Sequence, residues 1–140
     1  MELPSVKNLV LRLWGITLIF LLGFSLLKQE LNIRLNAGGE IVWLFISPSI
    51  LRKIYIKKYK QPITEETAEK VSNYFIRSII LFSIIFGSIY YLNNWSVKLS
   101  EHIVTLAIAL IVYFSFIAIF GRWIISAVLT NWGRDENKNP

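Results

Sequence analysis

The sequence predicts an all-α integral membrane protein, most simply a four-helix transmembrane bundle, and three observations carry that prediction. Hydrophobic side chains make up 54% of the 140 residues and charged ones only 17%, with a mean hydropathy of +0.52. Charge-free runs occupy residues 13–27, 41–51, 78–97 and 103–121, nearly half the chain, and the two longest match the roughly 20 residues a bilayer crossing needs. The longest stretch outside those runs is the 26 residues from Arg52 to Arg77, below the roughly 40 at which an independent core forms without disulfides or metal. The chain has no cysteine, so no disulfide compensates, and residues 1–140 read as a single membrane domain.

The first span is expected over about residues 9–27. Only 15 uncharged residues separate Arg12 from Lys28, so Arg12 must lie within the helix near one end, its stem along the helix and its guanidinium at the headgroups. Lys7 and Arg12 ahead of an apolar run also fit a secretory leader, but the apolar segments that follow favour a retained anchor.

The second segment is short. Glu40 and Arg52 bound 11 uncharged residues, IVWLFISPSIL, interrupted by Pro48. Extending it back to give residues 35–51 reaches the lower limit for a crossing and takes in Asn36, Gly38, Gly39 and Glu40. A crossing kinked at Pro48 is the preferred expectation, and the alternative is three spans plus a re-entrant or interfacial second segment.

Residues 52–73 are expected to form a polar loop that turns helical before the third span. The run RKIYIKKYK places Arg52, Lys53, Lys57, Lys58 and Lys60 beside Tyr55 and Tyr59 directly after a hydrophobic segment. Anionic lipid attracts such juxtamembrane clusters by about 1 kcal/mol per basic residue, so these five are candidates for lipid or partner contact. After Pro62, Thr64 has the character of an N-cap, Glu65 and Glu66 suit the positive end of the helix dipole, and Ile63 with Ala68 has the spacing of a hydrophobic staple.

The third span is expected over about 74–92, closing at Asn93, Asn94 and Trp95, and the fourth over about 102–121 behind Ser100 and Glu101. Past Arg122 an apolar run continues, so the helix either projects from the membrane or bends at Gly121 into an interfacial extension over 122–132, and residues 133–140 read as a disordered tail. Trp14, Trp43, Trp95, Trp123 and Trp132 fall near segment ends, where indole rings settle at headgroup level.

Charge orients the chain. With four crossings, twelve Lys and Arg lie on one side and three, Lys28, Arg34 and Lys98, on the other. The basic side is the cytoplasmic one, which places loop 52–73 and the C-terminus inside a plasma or inner membrane. A re-entrant second segment gives the same ratio but moves the N-terminus outside. The two arrangements differ in one respect: four crossings put Arg12, Arg77 and Arg122 in one leaflet, and three separate Arg12 from the other two.

Inventory excludes most catalytic chemistry. One His, one Asp and no Cys leave no zinc, haem or thiolate site within a subunit, and no nucleophile elbow or phosphate-binding glycine loop occurs. No cofactor and no metal are expected, and the chain is expected not to be an enzyme. The polar candidates within or beside the membrane are Arg12, Glu40, Arg77, His102 and Arg122. His102 reads as a wet residue at a helix start, and Glu40 as an interfacial carboxylate that could instead line an entry site. Ser83 and Gly87 form a small-x-x-x-small pair, and Ser115, Ala118 and Gly121 recur at three-residue spacing, so both helices permit close packing, chiefly on each other. Asn94-Trp95-Ser96 matches a glycosylation acceptor, a pattern that also arises by chance.

These features predict a small non-enzymatic membrane protein, an accessory or assembly subunit packing against a larger membrane complex. A small homo-oligomeric transporter or channel, with Glu40 as its candidate group, is the alternative, and a membrane-permeabilising or immunity-type protein is a further one. The expected partners are the bilayer, including anionic lipid, and other membrane subunits or a second copy. The net charge of +6 is explained beside the membrane and does not call for nucleic acid.

Overall fold

The computed structural model describes residues 3–31, 42–93 and 103–131, side chains at 28–31 and 131 aside, and these residues are helical apart from short connections. The helices are α1 (Val6–Leu31), α2 (Trp43–Tyr59), α3 (Glu65–Asn93), α4 (Ile103–Phe116) and α5 (Arg122–Asn131), the last two joined through a π-helical turn at Ile117–Gly121. Three stretches are long and apolar enough to cross a membrane: Val6–Leu27, Glu65–Asn93 and Ile103–Thr130. At 1.5 Å per residue each exceeds the roughly 30 Å hydrocarbon thickness. The second segment is not among them. α2 has 17 residues, about 25 Å, and half of it is the basic run.

The stretch 52–73 is helical on both sides of a short turn: α2 continues through Tyr59, where the left-handed backbone of Lys60 (φ 56°) ends it, and α3 begins at Glu65, directly after the Thr64 cap. The basic side chains are therefore spread around a helix. The start of α3 follows its local signals. Thr64 Oγ1 accepts the Thr67 backbone N–H at 3.3 Å, Glu65 and Glu66 occupy the first turn, and Ile63 and Ala68 are both buried. Of the two readings of 122–132, the continuous helix agrees with the one that projects beyond Gly121: it carries on through the π turn, and Ile125, Val128 and Leu129 of α5 are buried in the core.

The core lies at one end of the molecule. There four helices bury a stripe at three- and four-residue spacing: Leu9, Leu13 and Thr17 of α1; Leu44, Ser47, Pro48, Leu51, Arg52 and Tyr55 of α2; Ala68, Val71, Ser72, Phe75 and Ile76 of α3; and the three α5 residues. The stripes close a ring in which α1 packs on α2 and α3, and α5 on the same two. Phe75 sits at its centre with no exposed surface, edge-on to Trp14 (5.2 Å between centroids) and Trp43 (6.2 Å).

These contacts also fix direction. Arg122 bonds Asn73 and Gly121 abuts Ile76, so α3 and α5 run antiparallel. Trp43 opens α2 at the level of Phe75, and the rest of α2 runs towards the Glu65 end. The α1 residues buried with it, Leu9 and Leu13, precede Trp14, so α1 runs parallel to α3. The start of α1, the α2–α3 turn and the end of α5 therefore share one end. Twelve peptide steps join Leu31 to Trp43, a reach of about 40 Å against the roughly 25 Å that α1 climbs from Trp14 to Leu31.

Above the ring the helices are bare. Residues 81–90 of α3 and 103–113 of α4 are exposed, as is most of α1 from Leu18 to Leu27, Phe82 meets Trp14 edge-on at 5.3 Å, and among the described residues the main packing of α4 is on the π turn that follows it. The molecule is a packed helical base carrying three apolar arms.

Candidate functional site

Three arginines mark the boundary between base and arms. Arg12 lies half a turn before Trp14, whose Nε1 donates to Ser78 Oγ at 2.8 Å. Arg77 adjoins that serine, and Arg122 Nη1 donates to Asn73 Oδ1 at 3.1 Å, one turn below Arg77. The three lie within about one helical turn of each other along the bundle. Trp14, Trp43 and Trp123 occupy the same level, the first two half-buried and Trp123 70% exposed. Beyond it the described parts of the arms carry no charge up to Leu27, Asn93 and Ile103.

The basic run divides by face. Lys53, Lys57, Lys58 and Lys60 are exposed, whereas Arg52 is only 7% exposed and belongs to the buried stripe of α2. Helical periodicity separates them, because residue 52 falls one position after Leu51 and three before Tyr55, both buried. The Tyr55 phenol is raised above its ordinary pKa by burial and then by Tyr59, whose ring lies 4.9 Å away. Of the basic run, four lysines are therefore exposed to an anionic partner.

The small residues are not brought together. Ser83, Gly87 and Ser115 are exposed, nothing lies within 4 Å of a Cβ built on Gly87, and Ala118 is half-buried. Gly121 meets a neighbouring helix: a Cβ there would stand 2.9 Å from Ile76 Cδ1, so the missing side chain lets α3 approach the π turn. Glu40 and His102, like Arg34, Glu101, the Asn94 acceptor, Trp95, Trp132 and residues 133–140, lie outside the described residues.

Sequence reasoning did not find an open groove of about 510 Å³ between the start of α3 and the π turn, lined by Glu69, Ile119, Phe120, Arg122, Trp123 and Ser126. Its only advance signal is the Gly121–Arg122–Trp123 run, where an apolar helix acquires a charge and an indole at once. No group of three or more His, Asp or Glu positioned for a metal occurs among the described residues. Comparison with protein-family models, with curated proteins and with solved structures finds no match to this chain.

Proposed function

We propose that the chain is a non-enzymatic multi-pass membrane subunit that docks its three apolar arms against a larger membrane assembly, with its base on the cytoplasmic side. One observation carries this reading: among the described residues, 83–90 of α3 and 103–113 of α4 stand exposed, although Ser83, Gly87 and Ser115 would let another helix approach closely. Lipid covers such surfaces adequately, but it does not use small residues, whereas a partner helix does.

The base has the complementary character. Its exposed lysines on α2 lie on the side that the charge rule assigns to the cytoplasm, where anionic headgroups or an acidic partner would meet them. α1, α3 and α4 supply three passes, and the return from α1 to α2 falls on residues 32–41, outside the described residues.

Photo-crosslinking from inside the membrane tests the reading. A photoreactive residue at Gly87 or Ser115 should yield a discrete adduct with another membrane protein, and one at Phe75 should yield none. Native extraction that returns only free, uncrosslinked monomer from both arm positions contradicts it.

A further inference from the structure

We propose that the groove between α3 and the π turn is a binding site for a phospholipid with a phosphoethanolamine headgroup. The inference rests on the membrane placement above but not on docking to a partner assembly.

The lining residues are ordered along the bundle axis as the parts of such a lipid are ordered along the membrane normal. Ile119 and Phe120 lie on the arm side of the arginine level and present apolar surface to an acyl chain. Arg122 lies at that level, where phosphates lie. Its guanidinium carries five N–H donors and, among the described residues, uses one on Asn73. Glu69 is one turn further into the base, since Asn73 and Glu69 are four residues apart on α3, about 6 Å along the axis. That spacing suits a phosphate and an amine joined by two carbons.

The two charges remain available for a ligand. Glu69 and Arg122 share the groove yet make no ion pair with each other among the described residues, where the one ion pair is Lys70 with Glu66. Glu69 is exposed, and its carboxylate together with the nearby Ser126 hydroxyl offers acceptors for the N–H groups of a primary ammonium. A choline headgroup has no N–H to give them, and a glycerol headgroup has no cation.

The groove itself has a structural origin. A π turn inserts an extra residue into the helix and displaces the side chains that follow, and such turns concentrate at functional sites. Here Gly121 lets α3 close on the helix at Ile76 on one side, while Phe120 and Trp123 stand exposed on the other.

The test uses the full-length protein reconstituted in nanodiscs of phosphatidylcholine doped with spin-labelled phosphatidylethanolamine, phosphatidylcholine or phosphatidylglycerol, and reads the immobilised fraction of each. The proposal expects phosphatidylethanolamine to be retained about fivefold over phosphatidylcholine, the upper range for a partly exposed ion pair. Glu69→Gln should abolish that preference, and Arg122→Gln should lower retention of all three lipids. Lys57→Gln should leave the preference intact. Equal retention of the three lipids by the wild-type protein, or a preference unchanged in Glu69→Gln, overturns the proposal. Resistance of the protein to alkaline extraction from membranes is measured in parallel. Loss of that resistance defeats the membrane placement itself, whereas resistance without a lipid preference defeats the groove alone.

Discussion

Phe75 shows how much of the stability of this chain rests on a few side chains at one end. It is fully buried, two indoles meet its ring edge-on, and it lies where α1, α2 and α3 converge. Phe86, eleven residues along the same helix, is 64% exposed and stacks on Phe82 of its own helix. Phe75→Ala should therefore lower stability by about 3–5 kcal/mol, through lost burial and the cavity left behind. Phe86→Ala should change it by less than about 1 kcal/mol. Reversible unfolding in detergent micelles, followed by far-ultraviolet circular dichroism, measures both. Equal effects would show that the arms pack as tightly as the base.

At the level of elements, α2 is where the sequence is hardest to read. The three long apolar helices are legible from run length alone, and the start of α3 from Thr64, Glu65 and Glu66, because capping acts locally. The run after Arg52 reads as a loop because five cations within nine residues suggest solvent on all sides. The fold instead buries Leu51, Arg52 and Tyr55 on one face and leaves the lysines on the other, a division set by tertiary contact. In the same way, whether α5 projects or lies in the interface is open in the sequence until the ring that buries Ile125 and Leu129 is known. The groove was equally hidden, since Glu69 and Arg122 are 53 positions apart and meet only through helix pairing.

The two kinds of cation in α2 should separate on mutation. Replacing Lys53, Lys57, Lys58 and Lys60 together by Gln should weaken binding to anionic vesicles by about 1 kcal/mol per residue at low salt and leave stability nearly unchanged. Arg52→Gln should do the reverse, lowering stability through the lost packing of its buried stem and having little effect on vesicle binding. Vesicle flotation and unfolding of the same variants decide this. An Arg52→Gln protein of wild-type stability and weakened lipid binding would return Arg52 to the surface patch.

At the scale of the molecule, the arrangement is a base that folds within the chain and three arms that await neighbours. The two halves divide the work that burial does. Below the arginine level, stripes of Leu, Ile, Val and Phe meet one another, and above it similar side chains face outwards. Both the docking proposal and the lipid proposal depend on that division, the first on the arms and the second on the seam. Direction is the property on which the division rests, because the base closes only if α1 and α3 start from the same end.

Sidedness is therefore the measurement that tests the account most directly, and a chain without cysteine is suited to it. Single cysteines at Ser5, before α1, and Gln61, in the α2–α3 turn, are labelled in sealed membrane vesicles with a thiol reagent that does not cross the bilayer. The account predicts that both are modified from the same, cytoplasmic side. Modification of Ser5→Cys and Gln61→Cys from opposite sides would contradict the parallel pairing of α1 and α3, and with it the base itself.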